Sequence, residues 1–352
     1  MTNVLIIEDS PVMRKLLTDI LLDDAGIREV ESAPDPYDAW QLLKTFQPDV
    51  ITLDIELPRM DGLTFLEKLM KTKPLPVVMV SASTSGGASE TLRALELGAV
   101  DFIEKPKVDA RTGAVAMASE LVQKVKIAAS ANLWHRDRST KPLSNRTSSS
   151  DGAAEVDSTK LIAIGASTGG TEALAELLSG LPKDVPGIVI VQHMPARYTR
   201  SFAERLNRES ELEVREASDG DAIVSGQALL APGDRHMEVL ESHGKRIVRT
   251  FEAPPVNRFR PSVDVLFRSV AREIAQDAVG VVLTGMGCDG ARGMLEMRKA
   301  SATTIAQDEQ TSVVFGMPRE AIALGAAEHV RALPRIGQCI LNAVKKLPSV
   351  PV

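Results

Sequence analysis

Residues Lys160 to Pro182 read KLIAIGASTGGTEALAELLSGLP. An apolar run, Leu161 to Ile164, opens into small residues. Leu174, Leu177, Leu178 and Leu181 then recur at the spacing of one helix face. The pattern predicts strand, tight turn and helix. Within the turn, Gly165-Ala166-Ser167-Thr168-Gly169 fits G-x-S-x-G. In that motif the flanking glycines let the backbone bend sharply and leave the serine hydroxyl at the top of a sheet. Ser167 is a candidate nucleophile.

A glycine-rich turn before a helix also cradles phosphates, because the free N–H groups of the first helical turn attract anions. A Walker loop starting at Gly165 needs lysine after Gly170, where Thr171 stands, and a dinucleotide fingerprint needs glycine in place of Ser167. A nucleotide cradle is therefore disfavoured. Nucleophile and structural turn both remain open until a base and an acid are found at equivalent places.

C-terminal to this stretch, Gly187 to Gln192 (GIVIVQ) ends at His193, and Ala278 to Leu283 runs into TGMGCDGARG with Asp289 inside it. If these strands are parallel neighbours, the ends of all three lie on one edge of the sheet, where open α/β folds place their chemistry. Ser167 then attacks a carbonyl carbon. His193 takes its proton and later protonates the leaving group, and Asp289 holds the imidazole. Glycines 285, 287, 290 and 293 let the Asp289 loop approach a substrate and offer an N–H to a developing oxyanion. Of the other histidines, His236 is the rival base, four loop residues beyond the run Ala228 to Ala231. His135, His243 and His329 are expected to face solvent. The order Ser, His, Asp differs from that of α/β-hydrolases, so the motif does not imply that fold. Other expectations are a strand over Arg246 to Phe251, a helix after Ser262 as N-cap with Val263, Leu266, Phe267, Val270 and Ile274 buried, a last short strand at Ile305-Ala306, and closing helices begun at Pro318 and Pro334.

The N-terminal part alternates short apolar runs with helical patterns, implying βα units and a parallel sheet. The runs are Val4 to Ile7, Asp49 to Leu53, Val77 to Val80 and Phe102-Ile103, with a weaker one near Arg28 to Glu31. Four of them end on Glu8 and Asp9, on Asp54, on Ser81 and on Lys105. Carboxylates crowded at one edge repel unless a cation sits among them, and hard oxygen ligands suit Mg²⁺. Asp54 can attack a phosphoryl group, with Lys105 balancing charge and Ser81 contacting a phosphate oxygen.

A length of 352 residues fits two domains, and 44% hydrophobic with 25% charged residues is ordinary for a soluble protein. A net charge of −6, no basic stripe and no helix-turn-helix pattern disfavour nucleic-acid binding. Cys288 and Cys339 make neither a disulfide framework nor a metal-ligand spacing, and are expected to be reduced thiols in a cytoplasm. No signal-peptide pattern and no apolar run of 18 residues is present, so neither export nor membrane insertion is expected. The chain divides into 1–127, a flexible linker over 128–158 rich in Ser, Thr, Asn and Asp, and 159–348. Arg136, Arg138, Lys141 and Arg146 read as solvated linker charges, with a docking segment as the alternative.

VLIIEDSPVMRKLL, DVITLDIELPRMDGL, VVMVSAST and GAVDFIEKP resemble the receiver domain of two-component response regulators. The resemblance implies a flavodoxin-like five-stranded sheet in the order 2-1-3-4-5, with Asp54 as phosphoacceptor and Asp9, Asp54 and the Glu56 carbonyl as Mg²⁺ ligands. It further implies Ser81 and Phe102 as a switch pair and Lys105 as phosphate partner. Glu8 departs from the more usual aspartate and is expected to serve through water. IGASTGGTEAL, VIVQHMP, LLAPGDRHM and LTGMGCDGARGM are similar to the catalytic domain of the CheB family, the chemotaxis protein-glutamate methylesterases. This implies a larger, doubly wound, mostly parallel α/β domain with Ser167, His193 and Asp289 as triad, the Met286 N–H as oxyanion donor and Thr168 beside the site. Implied with it are hydrolysis of γ-glutamyl methyl esters on chemoreceptors without a cofactor, glutamine deamidation, a histidine kinase as phosphodonor, and a receiver that covers the cleft until phosphorylated. A monomer is expected. A non-catalytic signalling adaptor and a hydrolase of another ester or amide are the competing readings.

Overall fold

The computed structural model describes residues 1–81, 87–105, 111–133, 160–242 and 244–346. Most of the expected linker, His135, His243 and the four linker cations lie outside these residues. The chain separates into two compact units, Met1–Arg136 and Asp137–Val352.

The first unit runs β1 (Thr2–Ile7), α1 (Pro11–Leu22), β2 (Ile27–Ala33), α2 (Pro36–Leu42), β3 (Val50–Asp54), α3 (Gly62–Thr72), β4 (Val77–Ser81), α4 (Gly87–Leu97), β5 (Asp101–Glu104) and α5 (Arg111–Ala129). Its five strands are all parallel in the order β2-β1-β3-β4-β5, as the resemblance implied. Three of the helices start on side-chain caps: Ser10, Asp35 and Asp61 each accept a backbone N–H of the first turn, satisfying donors that have no partner within the helix. β3 and β4 are buried throughout, hence their continuous apolar runs. β2 buries only Ile27 and Ala33 at its ends, which is why its hydropathy signal is weak.

The second unit continues with β6 (Leu161–Ala166), α6 (Gly170–Ser179), β7 (Gly187–Gln192), α7 (Ala196–Glu209), β8 (Glu213–Glu216), β9 (Gln227–Leu230), β10 (His236–Ser242), β11 (Lys245–Phe251), α8 (Val263–Glu273), β12 (Ala278–Val282), α9 (Ala291–Lys299), β13 (Thr303–Gln307), α10 (Met317–Ala323), β14 (His329–Arg331) and α11 (Leu333–Lys346). Its seven-stranded sheet has the order β14-β13-β12-β6-β7-β9-β8, and every pairing is parallel. From β6 the chain winds outward through β7, then returns to build β12, β13 and β14 on the other side. The reversal opens a crevice at the carboxyl ends of β6 and β12.

Each expected helix face is the buried one. Leu174, Leu177 and Leu178 of α6, with Leu181 just beyond its end, are buried, as are Val263, Leu266, Phe267 and Val270 of α8. Each such side chain contributes roughly 1.5–3 kcal/mol of burial. Three local readings change. The strand at Arg246 to Phe251 lies outside the main sheet, in an antiparallel ribbon with β10. Ile305-Ala306 is not in the last strand, because β14 adds at the edge. His329, expected to face solvent, sits in that edge strand and is half-buried. Among the described residues no helix is long and apolar enough to cross a membrane, and both cysteines are free thiols.

Candidate active site

Strand register brings the three candidate residues together. Ala166 pairs with Gln192, so Ser167 and His193 are the next residues on neighbouring strands. Val282 pairs with Gly165 on the other side, and the chain beyond it forms the loop that carries Asp289. Backbone bonds close the seam: His193 N–H donates to Ala166 O at 3.1 Å, and Ser167 N–H donates to Thr284 O at 3.1 Å. The turn at Ser167 is as sharp as the motif requires. Gly170 N–H donates to Ser167 O at 2.7 Å, and Gly169 has φ +76° with Val313 pressed where a Cβ would stand. Gly285 approaches equally closely, since a Cβ there would lie 2.7 Å from the Ser167 Cβ. Ser167 is 8% exposed.

His193 and Asp289 are bonded, Nε2 to Oδ2 at 2.9 Å. Asp289 is wholly buried and receives four further hydrogen bonds: Asn257 Nδ2 at 2.7 Å, Ser262 Oγ at 2.8 Å, Val263 N–H at 2.6 Å and Asp264 N–H at 3.3 Å. Burial on its own raises its pKa, but the hydrogen bonds from His193, Asn257 and Ser262 outweigh it and hold the carboxyl below the usual carboxylate range. An ionised Asp289 can only accept, so the imidazole proton resides on Nε2 and the lone pair on Nδ1. That Nδ1 is buried and has no hydrogen-bond partner. It is the ring atom available to take a proton. Phe259 stacks on the imidazole with centroids 3.7 Å apart and planes within 6°.

The expected rival is otherwise employed. His236 opens β10, is buried, and uses both ring nitrogens, Nε2 with Pro254 O at 3.1 Å and Nδ1 accepting the Ser262 N–H at 3.3 Å. Ser262 does stand at the N-cap of α8, yet its hydroxyl makes no capping bond and goes to Asp289 instead.

Met286 lies beside Gly285, whose carbonyl accepts the N–H groups of Gly316 at 3.1 Å and Met317 at 2.8 Å and so fixes the loop. Thr168 is buried, and its carbonyl accepts the Thr284 Oγ1 hydroxyl at 3.0 Å. Thr284 N–H in turn donates to Gln307 Oε1 at 2.7 Å, and Gln192 Nε2 donates to Ser167 O at 2.9 Å. Thr284, Gln307, Gln192, Asn257 and Phe259 carried no mark in the sequence that set them apart. The partners named here lie 23 to 116 residues away along the chain. Only Ser262 had a signal, and it pointed to a cap. Truncating Phe259 to alanine uncovers the imidazole and removes a contact worth ~0.5–1.5 kcal/mol. We expect kcat to fall by up to ~10-fold with the far-UV spectrum unchanged, as measured by steady-state ester hydrolysis.

In the first unit, side-chain oxygens of Glu8, Asp9 and Asp54 all lie within 4.8 Å of one another. Lys105 Nζ reaches Asp54 at 2.7 Å and Glu8 at 2.8 Å. Burial pushes the carboxyls of Glu8 and Asp54 up, and Lys105 only partly offsets it. Three clustered acids, two of them paired with one lysine, leave a deficit of positive charge, which a hard divalent cation fits. Glu56 N–H donates to Asp54 Oδ1 at 3.3 Å, placing that residue against the same carboxylate. Arg14, unmarked in the sequence, holds the carbonyls of Glu8 and Asp9 at 2.7 and 2.8 Å. Ser81 is buried at the end of β4, its hydroxyl bonded by Thr91 of α4 at 3.0 Å. Phe102 is buried in β5 under the Lys124 ammonium.

Both parts of the chain match known families. Residues 162–340 match the CheB methylesterase family and residues 4–115 the response regulator receiver domain. The chain is 51% identical over 342 residues to the protein-glutamate methylesterase/protein-glutamine glutaminase of Salmonella typhimurium, covering 97% of each chain. The Escherichia coli protein of the same name is 52% identical with the same coverage. The crystal structure of the Thermotoga maritima CheB methylesterase catalytic domain aligns with a TM-score of 0.51 at 38% identity, over 52% of this chain and 97% of that one. With a receiver fold in front, the serine–histidine seam behind it and likeness along nearly the whole length, the chain belongs to the CheB methylesterase family.

Proposed function

We propose that this protein is a phosphorylation-activated serine hydrolase of the cytoplasm. It removes methyl esters from glutamate side chains of chemoreceptors as methanol, and deamidates receptor glutamines by the same chemistry. The observation that carries the reading is the buried His193–Asp289 pair one strand register from Ser167. Substrate binding completes the remaining bond, from the Ser167 hydroxyl to Nδ1, since such contacts commonly tighten only in the complex. Ser167 attacks the ester carbon as Nδ1 takes its proton, and the Met286 N–H, with Thr168 alongside, stabilises the oxyanion. The imidazolium, its charge matched by Asp289, protonates the departing methoxide. Water then repeats the sequence to free the carboxylate. No cofactor enters these steps.

In the receiver, spanning 1–127, Asp54 accepts a phosphoryl group from a histidine kinase. Glu8, Asp9, Asp54 and the Glu56 carbonyl hold Mg²⁺, which when bound neutralises phosphate charge. Lys105 pairs with the phosphoryl group, and Ser81 and Phe102 reorganise around it. A linker over 128–158 lets the state of the receiver govern access to the catalytic unit, 159–348, within one monomer.

Methanol release from methylated receptor membranes, with and without a small-molecule phosphodonor, tests the whole scheme. Wild type is expected to release methanol faster with the donor. In Asp54→Asn the basal rate should remain and the stimulation should vanish; stimulation that persists rules out Asp54 as the switch. No methanol from wild type in either condition rules out the esterase.

A further inference from the structure

Residues Val256 to Phe259 form a two-residue hairpin turn: Val256 N–H donates to Phe259 O at 3.0 Å and Phe259 N–H to Val256 O at 2.9 Å. Both central residues have positive φ, Asn257 at 53° and Arg258 at 73°, which defines a type I′ turn. Asn–Gly is the favoured pair for this turn, because asparagine tolerates the left-handed region and glycine has no Cβ to clash. Here arginine occupies the glycine position, at a conformational cost of about 1 kcal/mol.

The turn is tied down on both sides of that arginine. Asn257 Nδ2 donates to two buried carboxylates, Asp289 at 2.7 Å and Asp264 at 2.8 Å. Phe259 lies flat on His193. The hairpin is thus clamped to the His193–Asp289 pair, and Arg258 lies at its tip, between the two anchoring residues. Arg258 is exposed there, and among the described residues nothing is hydrogen-bonded or ion-paired to its guanidinium. The other arginines of this neighbourhood are engaged: Arg260 donates to Ala253 O at 2.9 Å, and Arg235 donates to Thr250 O at 2.9 Å and pairs with Glu252. Folding gains nothing visible from a strained, unpartnered arginine. A binding role accounts for it.

We infer that Arg258 is a substrate-recognition residue that takes the carboxylate of an acidic side chain neighbouring the target glutamyl ester on a polypeptide. The planar guanidinium fork matches a carboxylate in geometry and charge, and glutamate is the side chain this chemistry already handles. This inference rests on the esterase reading above.

The test uses the full-length protein and two synthetic peptides carrying one glutamate γ-methyl ester, flanked either by glutamates or by glutamines. Methanol release is followed for wild type, Arg258→Gly and Arg258→Glu. An ion pair at an exposed rim gives up to about fivefold in kcat/KM, so wild type should favour the glutamate-flanked peptide by about that factor at low salt. The advantage should shrink as salt screens it. Arg258→Gly should bring the ratio to about one through KM, and Arg258→Glu should invert it. Because Arg258→Gly creates the favoured Asn–Gly turn, its melting temperature should equal or exceed that of wild type, which a merely structural arginine would not allow. An unchanged ratio in Arg258→Gly overturns the inference, as does a lowered melting temperature with equal losses on both peptides. Turnover of neither peptide by wild type overturns the esterase reading and this one with it. Equal turnover of both by wild type overturns the role of Arg258 alone.

Discussion

Replacing Ser167 with alanine is expected to abolish ester hydrolysis, lowering kcat by about 10⁶-fold, the loss seen when a triad nucleophile is removed from a serine hydrolase. The change deletes one oxygen. The turn around it is held by backbone groups, with Ser167 N–H on Thr284 O and Ser167 O accepting from Gly170 and Gln192, and none of these bonds involves the hydroxyl. The variant should therefore melt close to wild type and still accept phosphate at Asp54. Methanol release and phosphorylation measured on the same preparation check both halves. Equal hydrolysis by Ser167→Ala and wild type would remove the proposed reaction altogether.

Asp289→Asn should cost about 10⁴-fold in kcat, the order found when the acid of a triad is neutralised and the imidazole tautomer is no longer fixed. Here the structure adds a stability cost. All five hydrogen bonds to Asp289 come from donors, two of them backbone N–H groups. An amide offers one accepting oxygen, and its NH₂ must face donors at the other. Leaving buried donors unsatisfied costs about 1–3 kcal/mol. The pH dependence has a definite sign. The folded pKa of Asp289 is below its unfolded value, so the carboxylate contributes stability that is fully present above the ordinary aspartate range near ~3.9. That stability is lost as pH falls through the depressed folded value. Thermal melts of the two proteins should thus differ most near neutrality and converge in acid. A gap that stays constant from neutrality down through the aspartate range would show that the charge of Asp289 is not what the fold uses.

The two failures would look different at the bench. Ser167→Ala should lose chemistry and keep the fold, whereas Asp289→Asn should lose both, because the bonds that hold the turn do not use the Ser167 hydroxyl and Asp289 is the hub on which three segments meet.

Much of this was readable along the chain. Periodicity marked β6, α6, β7 and β12, and the fully buried parallel strands left unbroken apolar runs that end where polar chemistry begins. The identity of the strand-end residues followed from that. Asn257 and Phe259 were not readable, because a turn with Arg258 in the glycine position has none of the local chemistry by which a type I′ hairpin is recognised. Ser262 was legible as an N-cap residue but not as a partner of Asp289, since the same hydroxyl can serve either acceptor or donor role and only the position of the carboxylate decides between them. β14 escaped notice because it is three residues long, lies at the sheet edge and buries almost nothing.

Sequence alone therefore determined the two βα layers, the strand-turn-helix at Ser167 and which polar residues end the strands, because these depend on spacings within a dozen residues. Tertiary structure decided which imidazole nitrogen is free, what holds Asp289 ionised and which loop covers the histidine. Those depend on pairing register and on contacts across 25 to 100 residues, where a shift of one position would turn each side chain to the opposite face of the sheet.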